Sequence, residues 1–585
     1  MRLSWINIKG FRNFEDATIN FSDKTLVIGE NDIGKSNLLY ALRLLFDKSL
    51  SDRDLELSPS DYNAYVDSDA IQITVFLSEI TEDCLKSAFI GAIEDNATYI
   101  QYNNSKDGEY TICVGPSLDL LEQKQGRFYL KRLSLEYVDT NRDLFSFIKR
   151  ERIKLLQISK SLLAEEQLED DKMSLKQLQI ELNDLNGKID KINYIKNALK
   201  AVNDELGKLS IHNEDQEVRF IAGNSDINKL VDNLDLSYMA NGNQLLLGGD
   251  GRNNQIYIAT WASKQAMQKS LEHVTIFAVE EPEAHLHPHQ QRKLSKYLVN
   301  IFEEQVILTT HSPYIASQFR PDKIVKLCTK SKITEAAQCG CSNQLKLTFD
   351  DFGYRLNAIT AEAFFSSGIF LVEGPSEKLL YTALAQQIGI DLDRLNISII
   401  SVDGIGFKPY IKICKSLCIP FTMRTDDDIF TKTKEGKELD YFAGISRVMG
   451  IYKKLISINP KIDKFITYWN ANKEKNEWLK TEECPQEAID LNNYIRRELA
   501  KFNIFLSINN LEEDLVDSDL QSSLSDFYGE TDREELILMM QTRKAENMLD
   551  YLETCEKDLV RLNKDNIAAP LKRIVSLIKS EVHPK

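Results

Sequence analysis

The sequence predicts an α/β protein of two successive parallel-sheet domains, the first interrupted by a long helical arm. Three stretches carry that expectation. A phosphate-binding loop, Gly29-Glu30-Asn31-Asp32-Ile33-Gly34-Lys35-Ser36, lies between an apolar strand and an apolar-periodic helix. A proline-free run from about Ile148 to Leu209 spaces its apolar residues as a heptad. Between Gly368 and Asp428, three apolar strands alternate with two helices, and acidic residues stand at the strands' C-terminal ends.

Composition sets the outer bounds. A chain of 585 residues is too long for one core, so three or four domains are expected. Hydrophobic content of 43% and charged content of 28% are those of an ordinary globular protein. No apolar run approaches the roughly 18 residues that span a bilayer. The start, Met1-Arg2-Leu3-Ser4-Trp5, lacks the apolar core of an export signal, so the expectation is a cytoplasmic protein with no membrane partner. The nine cysteines have no framework spacing and read as free thiols in a reducing compartment. Cys339-Gly340-Cys341 and the Cys414/Cys418 pair are too sparse for a zinc site. Net charge is −17, from 72 basic and 89 acidic side chains. That argues against coating nucleic acid by bulk charge, and leaves open a local basic channel or metal ions bridging carboxylates to phosphates.

In chain order, residues 1–21 read as strand, turn and returning strand. Leu3 and Trp5 are expected on one face, Ile6 and Ile8 on the other, with Lys9–Phe14 turning between them. Thr25–Ile28 is a buried strand entering the phosphate loop. The glycines let backbone wrap a phosphate, and the helix that follows aims its free N–H groups at the same anion. Gly29, Asn31, Gly34, Lys35, Ser36 and Asn37 are the expected nucleotide-binding residues, Lys35 for the β/γ-phosphates and Ser36 for Mg²⁺. Ile71–Leu77 is a further strand carrying Gln72.

The arm follows. Leu175, Leu178, Leu182, Leu185, Ile189 and Ile192 form the seam, which resumes at Ile195, Leu199, Val202, Leu206 and Leu209 after an extra three-residue step, a stammer. Gly187 is an alternative place to close a helical hairpin. Such a seam needs a partner: dimerisation is the leading expectation, packing onto its own core the alternative.

After the arm, Leu245–Gly251 forms a Gly-rich turn around Gly248 and Gly249. Val274–Val279 is a strand ending in Glu280-Glu281-Pro282. Glu280 is placed to hold the Mg²⁺ shell and Glu281 to orient the water that attacks the γ-phosphate. Two such glutamates at a buried strand end are costly without a cation. His285, His287 and His289 alternate just beyond, and Val306–Thr310 delivers His311. Hairpin, phosphate loop, Gly-rich turn, acidic strand and histidine, in this order, resemble the ABC-type (SMC/RecF-like) ATPase head. The resemblance implies that Gly248 and Gly249 meet the γ-phosphate held by an opposite subunit, and that His311 senses that phosphate. It places the three histidines in a loop crossing between subunits, with metal binding the alternative. It makes Arg12 a nucleotide contact or else a solvated turn residue, and Gln72 the family's metal-contacting glutamine, although Gln72 lies mid-strand.

A second parallel sheet begins with Gly368–Val372, ending in Glu373; Glu377 lies just inside the next helix. Strand Ile397–Val402 follows, then strand Ile419–Arg424, which runs into Thr425-Asp426-Asp427-Asp428. Carboxylates gathered at one sheet edge repel unless divalent cations sit between them, and two ions flanking a phosphate suit in-line cleavage. A doubly wound parallel sheet with a glutamate after its first strand and Asp426-x-Asp428 after its third resembles TOPRIM. An ABC-type ATPase followed by TOPRIM resembles the OLD family of nucleases, which includes the anti-phage Gabija nuclease and effectors paired with retrons. Residues 430–500 read as a helical insertion rich in Lys, Trp and Tyr (Tyr468-Trp469, Trp478), which contacts DNA, contacts a partner or simply packs. After strand Ile504–Ile508, the family places further acidic ligands in an Asp-Leu-Glu context. This chain has Asn510, so Glu512 is the candidate. Leu538–Ala545 resembles the family's segment with a catalytic lysine, which makes Lys544 that residue or else a solvated helix lysine.

The expected organisation is thus an ATPase domain at 1–147 and 213–350, a dimerisation arm at 148–212, and a TOPRIM domain at 360–585 with its insertion near 430–500. The resemblance implies ATP hydrolysis, with Mg²⁺ on Ser36 and Glu280. It implies metal-dependent DNA cleavage with Glu373, Glu377, Asp426, Asp428 and Glu512 as ligands, where Mn²⁺ or Ca²⁺ could replace Mg²⁺. Implied partners are DNA, further copies of the chain, and a defence-system protein such as a helicase or a reverse transcriptase with its msDNA. The rival is an SMC-like sensor whose TOPRIM domain binds without cutting. A topoisomerase would need a strand-attacking tyrosine in an additional domain, for which the chain has no room.

Overall fold

The computed structural model describes residues 1–139, 144–209, 272–341 and 361–582, apart from 67, 107–108, 190, 302, 331, 405 and 456–459, together with scattered positions between 218 and 263. It forms two units, one of Met1–Val138, Glu272–Glu283 and Pro288–Lys585, the other of Asp139–Leu271 and Ala284–His287. No helix among the described residues is long and apolar enough to cross a membrane.

The first unit opens with β1 (Arg2–Phe11) and β2 (Phe14–Asn20), an antiparallel hairpin closed by the Phe11–Phe14 pair. β3 (Lys24–Ile28) leads into the phosphate loop. β4 (Ala70–Ser78), β5 (Thr98–Ser105), β6 (Thr111–Gly115) and β7 (Glu122–Lys124) extend the hairpin into an antiparallel sheet of order β2-β1-β4-β5-β6-β7. The expected pairing of Leu3 with Trp5 on one face is corrected by a bulge. Opposite β4 the register slips between Leu3 and Trp5. An extra residue in one strand turns the following side chains over. Leu3 therefore joins Ile6 and Ile8 in the core, while Trp5 stacks on Phe76 at 5.7 Å.

β8 (Leu133–Val138) belongs to another sheet, and the chain then enters the second unit. Its helices are Leu144–Ser161, Glu165–Ile189 and Asn193–Leu209, followed by Ile227–Asp232 and a small hairpin of β9 (Tyr238–Ala240) and β10 (Asn243–Leu245). The second helix passes through Gly187, so no hairpin closes there. It ends at Ile189, and the next helix starts at Asn193, within the extra step between Ile192 and Ile195. The expected stammer is therefore a break between two helices, because a three-residue step rotates the apolar row off its face. Leu182 is buried, whereas Leu178 and Leu185 are 45% and 49% exposed, so much of the seam faces solvent in the single chain. Gly248 and Gly249 lie outside the described residues.

β11 (Val274–Glu280), β12 (Val306–Thr309), β13 (Ile324–Lys330) and β14 (Ile333–Ala336) return to the first unit and give the order β14-β13-β3-β12-β11-β8. All neighbours are parallel except β14 on β13. Strands covered on both faces carry unbroken apolar runs, as Leu26–Ile28 and Ile276–Val279 do. Helix Lys35–Phe46 buries Leu38, Leu39, Leu42 and Leu45 in a core shared with Ile6 and Ile73 of one sheet and Ile307 of the other. Each such side chain contributes about 1.5–3 kcal/mol by leaving water, which fixes the helix start against the strand ends.

The C-terminal part of this unit is a parallel sheet. β15 (Gly368–Val372), β16 (Ile397–Ser401) and β17 (Phe421–Thr425) come first. Between β17 and the last strand stands the insertion, with β18 (Ile429–Lys434), β19 (Lys437–Phe442) and β20 (Glu477–Leu479) in an antiparallel sheet. Helices Ala443–Leu455, Pro460–Asn472 and Gln486–Ala500 complete it. The expectation of a helical insertion is thus corrected: it is mixed. Its hairpin turns at Glu435-Gly436, both with positive φ (52° and 79°), the left-handed pair that a two-residue turn requires. β21 (Ile504–Leu506) closes the order β16-β15-β17-β21, all parallel. The order reverses at β15, which opens a crevice at the C-terminal ends of β15 and β17.

Candidate ATPase and acidic cleft sites

The phosphate loop is shaped by its neighbours. Gly34 has φ 106°, and a Cβ there would stand 2.1 Å from Asn13 Nδ2, so any other residue would be strained and would displace the Asn13 amide. Asn13 donates to the Ile33 carbonyl at 2.6 Å and accepts from Asn37 Nδ2 at 2.7 Å. Arg12 is not a loose turn residue. It donates to Asp61 at 2.9 Å and Asn37 Oδ1 at 2.7 Å, and its guanidinium lies 4.6 Å from the Tyr40 ring centre. Lys35 is buried, and its ammonium donates to the carbonyls of Gly29 (3.0 Å) and Glu30 (2.8 Å). Burial pulls its pKa down, against the opposing pull of Glu281 and Glu280.

The carboxylates come from the end of β11. Glu280 accepts from the Ser36 hydroxyl and from the Tyr137 hydroxyl. Ser36 and Glu280 thus stand together, as a shared Mg²⁺ shell requires. Glu281 takes the unusual φ of 42° and receives His311 Nε2 at 3.1 Å. Burial and the charge of Lys35 lower the His311 pKa, so at neutral pH a neutral ring donates to Glu281. Glu283 accepts from the Thr310 hydroxyl (2.6 Å) and the His311 amide (2.9 Å), tying the histidine strand to the acidic one. Gln72 does not join this group: its amide donates to Asn103 at 3.2 Å within the antiparallel sheet. His289 accepts from Arg292 at 2.8 Å. Among the described residues no three His, Cys, Asp or Glu side chains already converge as a metal cage.

The second site is a cleft of ≈ 240 Å³ lined by Glu373, Glu377, Asp426, Glu512 and Lys544. Glu373 follows β15, and its Oε1 accepts from the Thr425 hydroxyl, the Asp426 amide (3.0 Å) and Arg447 Nη1 (3.1 Å). Asp426, at the end of β17, accepts from the Ser507 hydroxyl at 3.0 Å. Strand alternation sends Asp427 the other way. It is fully buried and accepts from the Ile445 amide, Asn492 and Arg496 at 2.8, 2.8 and 3.2 Å, which anchors the insertion. Asp428 is half-buried and feels the charges of Glu373, Lys544 and Arg447. Glu377 caps its own helix through the Gly374 amide at 2.7 Å. Lys544 is exposed, and its Nζ donates to the buried Glu512 at 3.0 Å. Asn510 is the N-cap of helix Leu511–Val516, accepting from the Glu513 amide.

Glu373, Glu377, Asp426 and Glu512 line one cleft, yet each has one oxygen engaged by a protein donor, and the four are not gathered round a point. Their chemistry nonetheless fits a hard divalent cation. Burial, then the charges of neighbouring carboxylates, pushes Asp426 up to about 8, against Arg424; burial likewise takes Glu377 up to about 7. Such groups hold protons near neutrality until a cation displaces them, and an all-oxygen set suits Mg²⁺ or Mn²⁺. A pH prediction follows with a definite sign. Both pKa values lie above the unfolded carboxylate values, so these groups favour the folded state at low pH and lose that contribution as pH rises from about 4 to 8. Mg²⁺ or Mn²⁺ should therefore raise the melting temperature more at about pH 8.5 than at about pH 6. An equal or larger shift at the lower pH would remove these two carboxylates from the metal shell.

One connection joins the sites. The Ser367 hydroxyl, just before β15, donates to Glu30 Oε1 of the phosphate loop at 2.6 Å. Beside it the buried Lys326 donates to the Ser366 carbonyl at 2.7 Å. Lys35 holds the backbone of Glu30 while Ser367 holds its side chain, and β15 leads from Ser367 to Glu373.

Sequence reasoning missed several site groups. Arg447 comes from inside the insertion, and Ser507, Thr425 and Tyr137 are hydroxyl donors that no motif marks. Only topology brings them to the carboxylates.

A nucleotide loop with paired glutamates, followed by a parallel sheet with carboxylates at its strand ends, defines an ATPase joined to a TOPRIM domain. The chain belongs to the AAA ATPase domain family, whose model matches residues 1–143 and 148–316. The TOPRIM domain model of proteins like the overcoming lysogenization defect protein matches residues 364–428. The chain is homologous to endonuclease GajA of Bacillus cereus (strain VD045), 27% identical over 616 residues that cover 98% of this chain and 99% of the relative. It is 25% identical to the OLD nuclease of Thermus scotoductus (strain ATCC 700910 / SA-01) over 73% of this chain and 82% of the relative. Among solved structures, the SmcHead bound to the C-winged helix domain of ScpA aligns with a TM-score of 0.38 at 16% identity, over 57% of this chain and 97% of that one.

Proposed function

We propose that the chain is an ATP-regulated, divalent-metal-dependent DNA endonuclease, acting in the cytoplasm as an anti-phage effector. One observation carries the reading: Glu373, Glu377, Asp426 and Glu512 line a single cleft with Lys544 at its edge. Glu373, Glu377, Asp426, Asp428 and Glu512 would hold Mg²⁺ or Mn²⁺, and a bound ion would activate water and neutralise charge on the scissile phosphate. Lys544 would add a positive charge at the leaving side. The name of endonuclease GajA, matched along nearly the whole chain, supports the same activity. The test is nicking of supercoiled plasmid with and without ATP, Mg²⁺ and Mn²⁺. Metal-dependent nicking is expected; its absence under every condition would leave the non-cleaving sensor as the better reading.

ATP would act through the Glu30–Ser367 link. When Lys35 turns to a bound phosphate it releases the Glu30 carbonyl, and the change reaches β15 through Ser367. Ser367→Ala should leave ATP hydrolysis within about twofold, since it lies outside that site, but reduce the response of nicking to ATP several-fold. A full ATP response in this variant, measured by nicking across an ATP titration, would exclude the link.

Self-association would run through the arm, where Leu178 and Leu185 face solvent. Polar replacement of Leu178, Leu182 and Leu185 should lower the mass seen by light scattering while ATP hydrolysis per chain persists. A defence-system partner, whether a helicase or a reverse transcriptase with its msDNA, is part of the proposal because the family resemblance includes both settings.

A further inference from the structure

We infer that Arg447, delivered by the insertion, is a substrate-phosphate ligand of the acidic cleft; the inference rests on reading that cleft as a nuclease site. The helix that carries it is built onto the acidic strand end. The Ala443 amide donates to the Asp428 carbonyl at 2.9 Å, and the Ile445 amide to Asp427 Oδ1 at 2.8 Å. A Cβ on Gly444 would stand 2.2 Å from the Asp426 carbonyl oxygen, so the helix start and the metal-binding turn touch backbone to backbone. Arg447 follows within one turn, and its position is set by that junction.

Its guanidinium is fixed by one nitrogen. Nη1 donates to Glu373 Oε1 and to Thr425 Oγ1, both at 3.1 Å. Glu373 Oε1 already accepts the Thr425 hydroxyl and the Asp426 amide, so it does not need the arginine to be satisfied. Nε and Nη2 of Arg447 have no hydrogen-bond partner among the described residues, and 14% of the side chain is exposed. Three other cations near these carboxylates each have an acidic partner of their own. Arg424 is buried with Asp514 and Tyr381, Arg496 holds Asp427 and the Ile508 carbonyl, and Lys544 holds Glu512. Arg447 is thus a pre-oriented guanidinium beside Glu373 with open donors, the geometry that takes two phosphate oxygens at once. In the cleavage step water adds to phosphorus and gives up a proton to solvent, the bond to the leaving oxygen breaks, and that oxygen takes a proton from solvent. Arg447 transfers nothing and neutralises charge on the non-bridging oxygens.

The test uses the full chain with Arg447→Gln and Arg447→Lys, reading plasmid nicking, Mn²⁺ binding by electron paramagnetic resonance, and ATP hydrolysis as the control for folding. Arg447→Gln should slow nicking about 10²–10³-fold, the loss seen when one transition-state donor is removed, while Mn²⁺ binding stays within about threefold. Arg447→Lys should recover part of the rate, and it decides alone if the glutamine variant loses ATP hydrolysis. Nicking by Arg447→Gln at the wild-type rate overturns the inference and leaves the nuclease reading intact. Parallel loss of Mn²⁺ binding also overturns it, making Arg447 a support for Glu373 only. A wild-type chain that neither binds Mn²⁺ nor nicks overturns both.

Discussion

Glu373→Ala and Asp426→Ala should each reduce plasmid nicking by at least about 10³-fold, with ATP hydrolysis unchanged. The two residues sit some fifty positions apart and meet only because β15 and β17 are parallel neighbours. Glu373 has one oxygen engaged by Thr425, Asp426 and Arg447, which leaves the other for a cation. Removing it also strands Arg447 and Thr425 without their acceptor, so Glu373→Gln is the cleaner variant, keeping shape while losing charge. Asp426 is buried and tied to Ser507, and alanine there would leave that hydroxyl without its acceptor and the cleft one carboxylate short. Nicking measured over a Mn²⁺ titration separates the causes: lost affinity is partly restored at high Mn²⁺, lost geometry is not. ATP hydrolysis should survive because Ser36 and Glu280, which would hold its cation, stand together at the other site. Wild-type nicking by Glu373→Ala in Mg²⁺ would sink the nuclease reading.

What the sequence disclosed and what it hid follow from how each site is built. The phosphate loop is contiguous, so Gly29 to Ser36 announce a strand, a turn and a helix by themselves. Glu280, Glu281 and His311 are legible because parallel strands place their C-terminal residues at one edge, and the apolar runs before them mark those strands. The same rule makes Glu373 and Asp426 readable as partners. Arg447 was not legible. It lies in a helix whose amphipathic pattern says only that one face packs, and its role depends on Gly444 letting that helix rest on Asp426. Ser507 and Tyr137 act through single hydroxyls, which leave no spacing signature. The β18–β19 hairpin had a signal, Glu435-Gly436 between strand-forming residues, that the surrounding lysines and acids obscured. The Leu3 bulge had none, since a bulge is set by the partner strand. The link from Glu30 to Ser367 spans 337 positions and belongs wholly to the tertiary fold.

In the ATPase site, Glu281→Gln should bind ATP as the wild type does and hydrolyse it about 10²–10³-fold more slowly, the range that a positioned base contributes. The glutamine keeps the size and an acceptor oxygen for His311, so the loop geometry persists, but it cannot accept a proton from attacking water. His311 is held neutral by burial and Lys35, and it cannot serve as the base in place of Glu281 because its Nε2 is directed at that carboxylate. Lys35→Ala acts on the other parameter. The buried ammonium is held by two carbonyls of its own loop, a pairing much weaker than one with a triphosphate, so nucleotide binding is where its charge counts. Its loss should weaken ATP binding at least about tenfold and remove hydrolysis with it. A fluorescent ATP analogue reads binding and phosphate release reads turnover, so the two variants should separate: one binds without turning over, the other does neither. Turnover by Glu281→Gln at the wild-type rate would move the catalytic carboxylate elsewhere, with the half-buried Glu283 next in line because it already holds the His311 amide.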